Sequence, residues 1–358
     1  MLNHLIEGFD SVFLEDPERS AVQGCLAQEA AALMDPEYLV SSVIGEGEFD
    51  WDFDSLDDGF MKLVGPYMAE PSWTSVLFLQ SLREFGGDAQ RDLRAIVFLE
   101  YAYYSSLIND FYNFHERFTE FEPDRWACSR LTQLRYAGQY LSKYPAYLLI
   151  NNAFGVNQDT QSAIHQWLAN VYVTLGMGRG VMVKWAHRLY DGVKLEAYLQ
   201  NAINGMCLYV LFPVVLAAIF AGVADEDRRV LKQALNHLTL AIKLKLEHRL
   251  YGATAGETVP SELSGSWTAA STEGTAFLLQ ELCLDPGPFA GSRFPDVRAV
   301  GDGISNVVHT RSDPAVGERI GQMVREHFSR FEQVVSERGM LPDMRNRFRS
   351  CLFAGEGE

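Results

Sequence analysis

The chain has 358 residues, 47% hydrophobic and 22% charged, an ordinary balance for a globular protein and enough length for a large buried core. Lys and Arg number 30 against 47 Asp and Glu, a net charge of −17 with no basic stripe to offset it, which excludes a nucleic-acid partner on electrostatic grounds. The cysteines (Cys25, Cys128, Cys207, Cys283 and Cys351) are scattered and never spaced as CxxC, so neither a disulfide framework nor a zinc site is expected, and a reducing, cytoplasmic setting is the simplest.

In chain order, the opening MLNHLIEGFDSVFLED carries acids where a secretion signal would carry bases, so no signal peptide is expected. Short helices are predicted over 3–13 and 21–34. An acidic loop, GEGEFDWDFDSLDDG, follows over 45–59. Apolar residues then recur at three- and four-residue spacing over 74–85, 89–118, 125–149, 160–190, 195–223 and 225–251, and each run predicts a helix. No stretch alternates as a strand would. Segment 252–271 is rich in Gly, Ser and Thr, and 285–295 holds Pro286, Pro288 and Pro295, so both read as loops. Further helices are expected over 299–309, 316–338 and 345–353. No repeat, low-complexity tract or linker interrupts the chain, so one α-helical domain over 1–358 is expected. The uncharged run INGMCLYVLFPVVLAAIFAGVA (203–224) is long enough for a membrane span, but Pro213 interrupts it and charges flank it. It reads as a fully buried central helix, with no membrane insertion.

Two helices carry unusual polar patterns. In FLEYAYYSSLINDFYNFHERF (98–118), Asp110, Asn113 and Glu116 fall within about 120° of helical arc. Two carboxylates and an amide on one face form an all-oxygen donor set suited to Mg²⁺; a solvated polar helix end is the plainer reading. In the 225–251 helix, Leu231, Leu235, Leu238, Ile242, Leu246 and Leu250 form an apolar stripe. Arg249 projects inside that arc, and Lys243 and Glu247 stand at its edge. A base in an apolar arc needs a partner acid, a bound anion, or a stem long enough to reach water. There is no GxSxG, P-loop or HExxH motif.

The 98–118 stretch resembles the first aspartate-rich motif of the trans-isoprenyl diphosphate synthases. Ser106-Leu107-Ile108-Asn109 leads into Asp110, Phe111 replaces the second Asp, and Glu116 stands where the long form of the motif keeps its last acid. Other segments are similar to the family in order and spacing. GPYMAEP (65–71) sits at the Gly-Gly-Lys-Arg-x-Arg-Pro box, and AGQYLSKYPAYLL (137–149) at the helix after the aspartate motif. TLGMGRG (174–180) resembles the helix break with its Gly-Gln pair. YLQNAINGMCLYVLFPVVLAAIFAG (198–222) resembles the Lys-Thr helix, with Asn204-Gly205 in place of that pair. LAIKLKLEHRLYG (240–252) ends like the second aspartate-rich motif. The likeness covers roughly 65–252 and implies an all-α class I isoprenoid synthase bundle around a central cavity.

The departures narrow what the resemblance implies. Tyr67, Met68 and Glu70 replace the bases that clamp the diphosphate of isopentenyl diphosphate, and Glu70 would repel it. The second aspartate motif becomes Lys245, Leu246 and Arg249, and of the cyclase pattern at Thr239, Lys243 and Glu247 only Glu247 matches. The chain is similar to one-substrate relatives, the class I terpene cyclases, and among these to divergent fungal humulene synthases. The resemblance implies farnesyl diphosphate as substrate, a macrocyclic sesquiterpene such as humulene as product, and Mg²⁺ as cofactor. It implies Asp110, Asn113, Glu116 and Glu247 as metal ligands, and Arg179, Lys184, Lys243, Lys245 and Arg249 as diphosphate contacts. Phe78, Tyr101, Tyr104, Phe114, Tyr147, Tyr209 and Phe212 would line an aromatic cavity able to stabilise carbocations, although buried aromatics also serve plainly as core. The fold allows a homodimer. Two other activities stay open: a prenyl chain elongator, and a non-catalytic subunit of a heteromeric prenyl synthase.

Overall fold

The structure is a computed structural model that describes residues 16–33, 72–88, 92–103, 105, 143, 145–146, 149–150, 152–186, 193–254, 278–279, 282–283 and 314–353. Its named helices are α1 (Asp16–Leu33), α2 (Trp73–Glu84), α3 (Gln158–Ala186), α4 (Leu195–Met206), α5 (Leu211–Phe220), α6 (Asp225–Thr254), α7 (Pro314–Glu337) and α8 (Pro342–Leu352). A further helical stretch covers residues 94–103, and no strand occurs among the described residues. The expected helices at 3–13 and 299–309, and most of those at 89–118 and 125–149, lie outside the described residues.

Two compact units are present. One comprises residues 8–165 with 216–222; the other comprises 1–7, 166–215 and 223–358. In the first unit, the N-terminus of α2 is tied to the 94–103 helix by a buried carboxylate. Glu100 Oε1 accepts the backbone N–H of Ser72 at 2.7 Å, its hydroxyl at 2.8 Å, and the Ser75 hydroxyl. A negative charge at a helix N-terminus meets donors that the helix itself leaves unsatisfied. At the other end Gly86, with φ +75°, turns the chain, and the Gly87 N–H returns to the Leu82 carbonyl at 2.7 Å. Phe78, Phe220, Phe154 and Phe98 form an edge-to-face series with ring centroids 5.7–5.9 Å apart.

In the second unit, α6 packs along α7 and against α4. The inner face of α7 is Val316, Ile320, Met323, Val324, Phe328, Phe331 and Val335, the helical spacing of one apolar stripe. Leu341 adopts a left-handed φ of 48° just before Pro342, which starts α8 with its φ already helical. Arg349 of α8 then grips Glu332 of α7 through two hydrogen bonds of 2.9 and 2.7 Å. α6 is enclosed on nearly every side: from Leu238 to Glu247 only Lys245 is not fully buried.

Two expectations are corrected. The single helix predicted over 195–223 is two, α4 and α5, bent by 54° about residues 207–210. Pro213 explains the break, because it lacks an N–H and its ring opposes the carbonyl four residues earlier, at Tyr209. The Phe212 N–H instead reaches Cys207 at 2.9 Å. Among the described residues no single helix is long and apolar enough to cross a membrane, and residues 205–220 are all buried. The break that the resemblance implies at 174–180 does not exist: α3 runs unbroken through Gly176, Gly178 and Gly180, as the periodicity over 160–190 predicts. A Cβ at Gly178 would lie 2.6 Å from the Gly205 nitrogen and 2.7 Å from the Asn204 carbonyl carbon. The glycine is there for a close crossing of α3 with α4, not for a turn.

Candidate active site

α6 carries a buried ion pair in the second unit. Lys243 and Glu247 stand one turn apart, and Lys243 Nζ lies 2.9 Å from Glu247 Oε1, with side chains 6% and 0% exposed. The pair is electrostatic, without the alignment of a directed hydrogen bond. The second carboxylate oxygen, Oε2, accepts the hydroxyl of Tyr198 from α4. Tyr198 is itself held by Trp185, whose ring stacks on it at 5.7 Å with planes 12° apart. Burial pushes the neighbouring Cys283 thiol up to about 11; Arg319 works against that rise, and the Glu247 charge adds to it.

Both residues had been expected at the edge of the apolar stripe. They are interior because α6 is surrounded, so its polar side has no water to face. Lys243 therefore has its partner acid on its own helix. Lys245, two residues along and so on the opposite face, points elsewhere, with its ammonium 5.9 Å from the Phe353 ring. Lys243 and Lys245 are not brought together. Arg249 and Lys184 lie on α6 and α3, with their side chains outside the described structure.

Arg179 stands on α3 one residue past the helix crossing and donates to the Tyr209 hydroxyl at 3.1 Å. Its charge opposes the burial that pushes the Cys207 thiol up to about 12. Tyr209 and Phe212 are buried at the bend between α4 and α5, and the Phe212 carbonyl accepts the Trp167 indole N–H at 3.4 Å. Phe78 and Tyr101 are buried in the first unit. Asp110, Asn113, Glu116, Tyr104, Phe114 and Tyr147 lie outside the described residues. Tyr198 was not anticipated; nothing local in YLQNAING ties it to an acid 49 residues away.

The fit of these residues to Mg²⁺ differs between the two sets. The types at Asp110, Asn113 and Glu116 suit a hard cation by donor chemistry. On α6 the fit fails. An ammonium already occupies one side of the Glu247 carboxylate and a phenol the other, so a metal would have to displace a buried cation. Among the described residues no three His, Cys, Asp or Glu side chains gather where they could hold a metal.

No sequence-family model and no curated protein matches the chain. Solved structures do. A geranylgeranyl pyrophosphate synthetase from the archaeon Geoglobus acetivorans is 13% identical with a TM-score of 0.59, over 93% of this chain and 97% of that one. A second geranylgeranyl pyrophosphate synthase is 12% identical with the same score and coverage. A polyprenyl synthetase from Streptomyces coelicolor A3(2) is 13% identical with a TM-score of 0.54, over 98% of both chains. At such identity the likeness speaks for architecture: the chain has the all-α fold of the isoprenoid synthases.

Proposed function

We propose that the chain is an enzyme acting on a prenyl diphosphate as one catalytic domain, and specifically a class I sesquiterpene cyclase. It would ionise farnesyl diphosphate and close the chain to a macrocyclic hydrocarbon such as humulene. One observation carries the reading: the prenyl synthase fold spans nearly the whole chain while the residues for a second diphosphate are replaced. Tyr67, Met68 and Glu70 stand at the basic box. At the Lys-Thr position, the Asn204 and Gly205 backbone is taken up in the crossing with Gly178, which supports a site with room for one substrate.

In this reading Asp110, Asn113 and Glu116 hold Mg²⁺, which when bound draws off the charge of the departing diphosphate. Lys243, paired with Glu247, which Tyr198 holds in turn, supplies a fixed cation in place of a metal ion. Arg179, Lys184, Lys245 and Arg249 are the remaining basic contacts proposed for the diphosphate. Phe78, Tyr101, Tyr104, Phe114, Tyr147, Tyr209 and Phe212 are the aromatic residues proposed to shield the allylic cation from water and to favour its attack by the distal double bond.

The test is incubation of purified protein with farnesyl diphosphate and Mg²⁺, with and without isopentenyl diphosphate, followed by gas chromatography–mass spectrometry. A hydrocarbon from farnesyl diphosphate alone, lost with EDTA and in Asp110→Ala, is the expected result. A longer prenyl diphosphate formed only with isopentenyl diphosphate makes the chain an elongator. Silence with geranyl, farnesyl and geranylgeranyl diphosphates alike points to the non-catalytic subunit.

A further inference from the structure

α6 and α7 meet across a pair of histidines. His237 Nδ1 and His327 Nδ1 are 3.1 Å apart, with ring centroids 5.3 Å apart and planes 27° apart. The centroids are farther apart than the nitrogens by about one ring's width, so both nitrogens lie between the rings and point at each other. That is the geometry of an N–H···N hydrogen bond. Both side chains are only partly buried, so protons from solvent reach them.

A bond of this kind constrains where further protons go. In the neutral pair one ring donates its Nδ1–H and leaves its Nε2 bare; the other accepts on Nδ1 and carries its hydrogen on Nε2. The first added proton goes to the bare Nε2 of the donor. It makes that ring a cation while the bond stays in place, and a charge-assisted bond is stronger than a neutral one. The second proton has only the accepting Nδ1 left. Adding it removes the lone pair, breaks the bond and sets two cations facing each other.

The surroundings decide the order. His327 is held down to about 4 by burial, by His237 and by Arg330, with Glu326 pulling the other way. His237 is lowered by burial and by Arg330. His237 therefore takes the first proton and is the donor ring. The charges facing the pair come from α7: Arg330 one turn from His327, and Glu326 beside it, which Gln322 holds at 2.8 Å. One turn to either side of His237, α6 carries Gln233, Ala234, Leu240 and Ala241, none of them charged. Tyr198 of α4 meets α6 ten residues further on, at Glu247, and Arg349 of α8 is taken by Glu332.

We propose that His237 and His327 form a two-step proton latch: the first proton strengthens the tie between α6 and α7, and the second releases it locally. The first proton is still harder to add than to a free imidazole, because burial and Arg330 oppose the charge it brings. Tightening of the bond and loss of overall stability therefore go together as acid is added.

The test is nuclear magnetic resonance on the full-length, deuterated protein with nitrogen-15 histidine, titrated from neutral pH into acid. At neutral pH a coupling through the hydrogen bond is expected between the two Nδ1 nuclei, with Nε2 bare on His237 and protonated on His327. On acidification His237 Nε2 should protonate first, with the coupling retained. The coupling should vanish only when His327 takes up its proton, and amide exchange should then rise around 237 and 327 but not along α2. His327→Gln should abolish the coupling and the acid step in exchange, and His165→Gln should keep both. The coupling is read on the unmodified protein, so it stands even if a variant misfolds. No coupling at neutral pH, loss of the coupling with the first proton, His327 protonating before His237, or unfolding of the whole chain before the coupling is lost overturns the latch.

Discussion

Lys243 and Glu247 show what a buried ion pair demands of its surroundings. Each charge is tolerable inside α6 only because the other is 2.9 Å away and Tyr198 satisfies the second oxygen. Lys243→Met would strand an unpaired carboxylate and is expected to cost about 3–5 kcal/mol, measured by chemical denaturation. Replacing both, as Lys243→Met with Glu247→Leu, should restore most of that loss, since an apolar pair of similar volume commonly stabilises as well as the ions do. If the restored double variant also regains turnover, Lys243 is not the cation at the diphosphate. The four-residue spacing made this pair visible in the sequence as neighbours on one face. Its burial was not visible, because a helical wheel ranks positions by the apolar stripe and cannot show that the opposite side is also covered. Tyr198 was invisible for a different reason: a hydrogen bond across 49 residues leaves no local pattern.

Periodicity located whole helices well. α2, α3, α7 and α8 lie within four residues of their predicted bounds, because each turns one apolar face inward and the 3.6-residue repeat records that face. Interruptions were harder. The proline in α5 is evident, yet the apolar periodicity continues through it, and the bend falls just upstream, where the ring opposes the preceding turn. The resemblance implies a break at the glycines of α3 while periodicity carries the helix through them; glycine within a helix often marks a neighbour's approach rather than an end. Gly178→Val tests that distinction. Its Cβ would meet backbone at 2.6–2.7 Å, so a loss of about 1–3 kcal/mol in stability is expected, whereas Gly176→Ala, with open space, should be neutral or slightly stabilising.

For the molecule as a whole, His237 of α6 and His327 of α7, whose Nδ1 atoms lie 3.1 Å apart, form a pair that links stability to acidity. Both rings titrate below the free value of 6.5 in the folded chain, His327 near 4. Between those limits the unfolded chain binds more protons than the folded one, so stability falls as pH drops from about 6.5 toward 4. Glu326 and Arg330 flank the pair, the first easing protonation and the second resisting it. Melting curves from pH 7 to 5 should therefore show a steeper decline for the unmodified protein than for His327→Gln. Equal slopes would mean that the pair does not govern this range. The overall architecture was legible because the resemblance to the isoprenyl diphosphate synthases is spread over many segments, each weak but all in order. Chemistry was less legible, because it depends on which of several polar residues converge, and convergence is a property of packing.

The crossing of α3 over α4 also makes a statement about descent. A side chain gained at position 178 is opposed by main-chain atoms of Asn204 and Gly205, and main chain cannot be trimmed by mutation. Most core clashes can be relieved by shrinking the opposing residue, which lets two sites drift together. This one has no such partner. An alignment of close relatives should thus show glycine at 178 as a solitary fixed column with no covarying mate, in a helix whose other two glycines, Gly176 and Gly180, are free to vary.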